Sequence, residues 1–207
     1  MTAGNPPNKI PGDEKIVVIK YNAGNIQSVL FALKRIGVEA LVTDDAGQIL
    51  SADKIIFPGV GEASTAMHYL RERKLDDVIK SATQPVLGIC LGMQLMCKYS
   101  EENDTPCLGL FDVDVKRFKS SSLKIPQIGW NRIQVRDNPL FKNVQQQSYC
   151  YFVHSYYAEL HRCTIATAHY GIEFSCALHK DNFYGVQFHP EKSADTGEAI
   201  LRNFVSL

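Results

Sequence analysis

The apolar residues of the first hundred positions fall into two alternating patterns. Short β-branched runs without polar alternation occur at Lys15-Ile16-Val17-Val18-Ile19-Lys20, Val38 to Thr43, Lys54 to Phe57 and Pro85 to Ile89. Such runs predict strands of a parallel sheet covered on both faces. Between them the period becomes helical. After Gly24-Asn25, residues Ile26, Val29, Leu30, Leu33 and Ile36 share one face, and Gly37 stands where a helix-ending glycine belongs. Helices are also predicted at Ala63 to Arg73, Leu75 to Ser81 and Gly92 to Lys98, and Pro58-Gly59 is expected to stop the third strand. The order β-α-β-β-α-β-α predicts an open, mostly parallel α/β sheet flanked by helices.

From about Val113 the pattern changes. Val113 to Phe118, Arg132 to Val135, Tyr149 to Val153, Thr164 to Ala168, Phe174 to Leu178 and Phe183 to Phe188 predict strands joined by short turns, before a helical period returns over Thr196 to Leu207. No repeat or linker divides the chain, so one domain is expected over residues 15–207, carrying an antiparallel β extension. Met1 to Glu14, rich in Pro, Gly and Asn, is expected to be a disordered leader.

Composition narrows the class of function. Lys+Arg and Asp+Glu are 22 each among 207 residues, so the formal net charge is zero and no broad basic field is available to nucleic acid or an anionic membrane. Neither a membrane-spanning run nor a signal-peptide core is visible. The six cysteines form no Cys-x-x-Cys pair and no zinc spacing with histidine, which predicts free thiols in a reducing cytoplasm and no metal site.

One cysteine differs from the rest. Gly88-Ile89-Cys90-Leu91-Gly92 places a nucleophile between small residues, at a strand-to-helix junction. A nucleophile on that sharp turn stands at the sheet's carboxyl edge, where flanking side chains would strike neighbouring backbone and the following helix start favours a thiolate. Cys97, Cys107, Cys150, Cys163 and Cys176 lack such flanks and read as core residues. A thiol nucleophile needs a base and a group to orient it. His189 follows the strand Tyr184-Gly185-Val186-Gln187-Phe188, and Pro190 turns the chain so that Glu191 points back at the imidazole. His154, at the end of Tyr151-Phe152-Val153, is the rival base, but it has no carboxylate within three residues and suits a substrate-shaping role. His68, His161, His169 and His179 read as surface positions on helix or strand.

These residues resemble the class I, triad-type glutamine amidotransferases, and the likeness runs from Lys15 to Leu207. It rests on Pro58-Gly59-Val60-Gly61, on Leu87 to Gln94 and on Gln187-Phe188-His189-Pro190-Glu191-Lys192-Ser193. The start departs, with Lys20-Tyr21-Asn22-Ala23-Gly24-Asn25 where the family has Asp-Tyr-Gly-x-Gly-Asn. The resemblance implies a flavodoxin-like fold, a Cys90-His189-Glu191 triad and hydrolysis of glutamine through a thioester, without metal or cofactor. It implies an oxyanion hole from Leu91 N–H and an N–H at Val60 or Gly61, in a loop that flips when a partner engages. Glutamine contacts are implied at Gly59, Gln94 and Glu102, with backbone at His154, Ser155 and Tyr156.

Lys124-Ile125-Pro126-Gln127-Ile128-Gly129-Trp130-Asn131 and the Tyr151 to Tyr156 run are similar to one branch of that family. Its members are glutaminase subunits that pass ammonia to a (β/α)8-barrel cyclase in histidine biosynthesis. For this chain the likeness implies a heterodimer with docking residues Asn25, Pro126, Trp130, Tyr151 and Lys192. Trp130, as the single tryptophan, also fits a core role. Three alternatives stand beside this reading. They are a glutaminase serving another synthase (pyridoxal phosphate or sugar-modifying), a cysteine peptidase or γ-glutamyl hydrolase, and a binding module without catalysis.

Overall fold

The computed structural model describes residues 14–22 and 25–207. The first half alternates through β1 (Ile16–Ile19), α1 (Ile26–Arg35), β2 (Ala40–Thr43), α2 (Ala46–Leu50), β3 (Lys54–Gly59), α3 (Ala63–Glu72), α4 (Leu75–Ser81), β4 (Val86–Cys90) and α5 (Leu91–Met96). The second half is mainly β. It runs through β5 (Tyr99–Ser100), β6 (Thr105–Pro106), β7 (Asp114–Arg117), β8 (Gln127–Arg132), β9 (Gln134–Val135), β10 (Tyr149–His154), β11 (Tyr156–Ala158), β12 (Thr164–Tyr170), β13 (Ile172–Lys180) and β14 (Phe183–Val186), closing with α6 (Ala194–Val205).

Five strands in the order β2-β1-β3-β4-β14 pair in parallel, the flavodoxin-like arrangement. Beyond β14 the sheet continues through antiparallel β13, β11 and β7, while β8 and β10 form a separate antiparallel ribbon. The uninterrupted apolar run of β1 is explained by its two faces. Ile16 and Val18 pack with Val29 and Leu33 of α1 and with Ile200 and Phe204 of α6. Val17 and Ile19 pack with Met67 and Leu70 of α3 and Ile79 of α4. Each such side chain stabilises the fold by roughly 1.5–3 kcal/mol. Gly37, in the left-handed region at φ 81°, follows α1 as expected.

Four expectations are corrected. Pro58-Gly59 does not end β3, since Pro58 pairs with Ile89 and Gly59 with Cys90. Ile55 N–H donates to Pro85, so alternate positions face β4 and the missing N–H of Pro58 falls on the β1 side, where pairing stops at Val18 and Ile56. Helix α5 ends at Met96 rather than Lys98, because Leu108, Gly109 and Phe111 N–H groups take the carbonyls of Leu95, Cys97 and Met96. A strand runs from Gln127, ahead of the predicted Arg132, and its alternation is inverted: Gln127 is buried while Ile128 and Trp130 face out. Helix α2 has no predicted counterpart; its signal is Asp45, whose side chain caps Gln48 N–H at 2.7 Å. Of the leader, residues 1–13 lie outside the described residues, and Glu14 is paired with Lys54 at 3.1 Å.

Candidate active site

Cys90 is the last residue of β4 and the residue before α5, at φ 54° and ψ −110°. A non-glycine residue there is strained by about 1–3 kcal/mol, which the surrounding packing must over-determine. The packing is backbone against backbone. A Cβ on Gly92 would strike the carbonyl oxygen of Phe57, and one on Gly88 would meet Met96 sulfur and the backbone of Gly92. Both glycines let α5 lie directly on β3 and β4, and the turn at Cys90 is the consequence.

His189 lies three residues past β14, the next strand of the parallel core, and is buried. Its Nδ1 is 2.8 Å from Glu191 Oε1, whose side chain is fully buried. The ring and Cys90 line the same cavity and interact across it. Burial works to lower the ring's pKa, but the interactions with Cys90 and with the Glu191 carboxylate override this and raise it to about 10, which favours the protonated imidazole. A 3₁₀ turn over Pro190–Lys192 returns Glu191 to His189, and Ser193 Oγ closes it by donating to the His189 carbonyl at 2.6 Å.

A cavity of about 310 Å³ opens over the sulfur, lined among others by Val60, Gly61, Leu91, Glu102, Pro126 and Lys192. It lies at the carboxyl ends of the parallel strands, where open α/β sheets hold their ligands. Among the described residues Glu102 is its one lining carboxylate; Ala63 N–H at the start of α3 donates to it at 2.8 Å. Burial raises the Glu102 pKa, against the Ala63 bond and with help from Glu62. Among the described residues no group of three His, Cys, Asp or Glu side chains is arranged to hold a metal ion.

A family model described as glutamine amidotransferase class-I matches residues 17–207. The chain belongs to the class I glutamine amidotransferases. This amidotransferase is 56% identical to the imidazole glycerol phosphate synthase subunit HisH of Bacteroides fragilis, over 93% of this chain and 100% of that one. The subunit of the same name from Haemophilus influenzae is 49% identical over 92% and 96% of the two chains. A solved glutamine amidotransferase structure shares the fold with TM-score 0.71 at 19% identity, covering 92% of this chain and 97% of its own.

Most of the amidotransferase's predicted site residues surround this cavity. Cys90, His189, Val60, Gly61, Leu91, Gln94, Glu102, His154, Ser155 and Tyr156 all line the cavity. Gly59 lies outside its lining, in the ladder opposite Cys90. Asn25 turns inward, its amide donating to Glu191 Oε1, which places it behind the His189–Glu191 pair. His154 is the neutral ring of the site. Burial lowers its pKa to about 4; Nδ1 donates to the Tyr156 carbonyl at 2.7 Å, and Nε2 lies 2.9 Å from the Gln127 carboxamide, whose NH2 end must face the neutral ring. With both nitrogens engaged away from Cys90, His154 shapes the cavity wall.

Cys97, Cys150 and Cys176 are buried as expected; Cys107 and Cys163 are only partly so. Burial pushes the Cys107 and Cys150 thiols up to about 12 and raises those of Cys97, Cys163 and Cys176 as well. All six cysteines are free. His161 sits in the turn before β12, bonded to Cys163, rather than on a strand.

Trp130 is 53% exposed, which removes the core reading. It stacks edge-on against Tyr151 at 5.9 Å, and Lys192 Nζ stands 6.0 Å over the same ring. With exposed Ile128 and Tyr149, they form an apolar face on the β8–β10 ribbon beside the cavity mouth. Tyr151 ties this face to the base: His189 N–H donates to its carbonyl and its own N–H donates to Ser193 Oγ, both at 2.9 Å. Sequence reasoning missed Gln187, Val153 and Tyr21. Val153 carbonyl lies 3.8 Å from the Cys90 sulfur, and the buried Tyr21 hydroxyl lies against Gly59 without a hydrogen-bond partner among the described residues.

Proposed function

We propose that this amidotransferase is the glutaminase subunit of an imidazole glycerol phosphate synthase, acting in the cytoplasm and passing ammonia to a (β/α)8-barrel cyclase subunit. The observation that carries this reading is the Cys90-His189-Glu191 chain opening onto a cavity with one lining carboxylate. Identity of 56% and 49% to subunits of that name, over 93% and 92% of this chain, supports the choice of synthase.

The chemistry follows from the geometry. The Cys90 sulfur, paired with the His189 imidazolium, attacks the carboxamide carbon of glutamine. N–H groups of Leu91 and of Val60 or Gly61 meet the developing oxyanion. His189 gives its proton to the departing nitrogen, releasing ammonia and leaving an acyl thioester on Cys90. The now neutral ring takes a proton from water, which attacks the thioester and frees glutamate. Gly61, at φ 113°, lets the peptide beside it turn over without a side-chain penalty. Ammonia reaching bulk water is protonated and lost as a nucleophile, so the exposed Trp130–Tyr151–Lys192 face beside the cavity is assigned to docking of the cyclase.

Glu102 suits the α-ammonium of glutamine as the cavity's only carboxylate among the described residues. Glu102→Gln is expected to raise KM for glutamine roughly 10–100-fold, the worth of a charge-assisted hydrogen bond, with less effect on kcat. Its pKa is raised, so the binding form is lost as pH falls through that elevated value. Wild-type KM should therefore begin to climb at a higher pH than an ordinary carboxylate would dictate. Steady-state kinetics across the acid range would check this, and an unchanged acid limb in Glu102→Gln would remove the assignment.

The reading as a whole is tested with purified barrel cyclase and its ribonucleotide substrate. Glutaminase turnover of the isolated chain is expected to rise about 10²–10³-fold in their presence, the worth of one oxyanion donor. Trp130→Ala should blunt that rise while leaving the basal rate alone. A chain fully active alone, or indifferent to the cyclase, would favour another acceptor enzyme.

A further inference from the structure

The Cys90 sulfur has a polar neighbour that none of the steps above uses. Gln187 is completely buried, one residue past β14, with Nε2 3.7 Å from Cys90 Sγ. Which end of this carboxamide faces the sulfur is settled by a chain of partners. The Tyr156 carbonyl can only accept, so the atom of Gln94 that meets it at 3.0 Å is the amide nitrogen. The same nitrogen donates at 2.8 Å to Gln187. Gln187 must therefore present its oxygen to Gln94, and its NH2 group is left to face Cys90.

We propose that Gln187 is a thiolate-holding residue, donating its amide N–H to the Cys90 sulfur in an orientation imposed by Gln94 and the Tyr156 carbonyl. The bond favours S⁻ over S–H, because a donor is satisfied by the anion and gains less from a thiol. It also re-assigns Gln94, whose amide hydrogens are committed to Tyr156 and Gln187 and leave only its oxygen for the cavity. The remaining groups around the sulfur are the Val153 carbonyl at 3.8 Å, which can accept from the thiol, His189 with Glu191 behind it, the buried Tyr21 hydroxyl, the neutral His154 ring, and Glu102 and Lys192 across the cavity. Gln187 is the uncharged carboxamide donor among them. Its catalytic meaning rests on Cys90 being the nucleophile; the hydrogen bond itself does not.

The test is the pH dependence of Cys90 alkylation by iodoacetamide in the full chain, located by peptide mass spectrometry to separate it from the other five cysteines. Gln187→Leu should raise the midpoint by about one pH unit, a roughly tenfold loss of thiolate at fixed lower pH. Gln187→Glu, isosteric and still able to accept from Gln94, should raise it further, since a carboxylate oxygen replaces the donor beside the sulfur. Wild-type midpoints in both variants would overturn the proposal. Glutaminase kinetics should show a fall in kcat with KM within about twofold. If Cys90→Ala retained turnover, the nucleophile reading would fail while the alkylation result still judged the hydrogen bond.

Discussion

Cys90→Ala protein is expected to release glutamate at background rate, a loss of roughly 10⁴–10⁶-fold in kcat, as when the nucleophile of a hydrolytic triad is removed. The size of the effect follows from chemistry that no neighbour can supply. The other cysteines have thiols pushed upward by burial, and none of the five lines the cavity. Cys90 stands at a strained turn, and alanine there removes only the sulfur while keeping the same Cβ, so the backbone is asked to do nothing new and the fold should stay intact. Affinity for the proposed cyclase partner should be unchanged, because the exposed face at Trp130 and Ile128 lies on a different ribbon. The measurement is glutamate release alongside binding of the variant to the cyclase. Retained turnover would move the nucleophile elsewhere.

Glu191→Gln is the second large effect, expected to lower kcat by roughly 10³–10⁴-fold with little change in KM. The carboxylate oxygen Oε1 accepts from both His189 Nδ1 and the Asn25 amide. A glutamine keeps the shape and removes the charge. The pKa of His189 should then fall from its raised value, since one of the two influences holding it up is gone. The sign can be checked separately. In the wild type the raised ring pKa stabilises the folded state fully below the unfolded histidine range of about 6.5. That contribution is lost as pH rises through about 10. Thermal melts at pH 7 and pH 10 should differ less in Glu191→Gln than in the wild type. An equal difference in both, with wild-type kcat, would show that Glu191 does not orient the base.

Much of the site was legible because its local requirements are written in adjacent residues. A turn that needs glycine on both flanks, between a β-branched strand and an apolar helix, leaves a signature within five positions. A proline followed by a carboxylate after His189 does the same. The inverted alternation of β8 was not legible, because an outward Trp130 and Ile128 imitate the inward residues of an ordinary strand. Pro58 misled for a comparable reason: whether its missing N–H matters depends on where the neighbouring strand β1 ends.

By itself the sequence determined the period of each long element and the turn that carries Cys90, since these arise from interactions between residues close along the chain. The tertiary structure alone decided which distant groups meet that sulfur. Gln94 and Gln187 are 93 positions apart and Asn25 and Glu191 166 apart, yet each pair shares a hydrogen bond. Side-chain amides carry no periodic signal, and their partners and orientation come only from the carbonyls that packing places beside them.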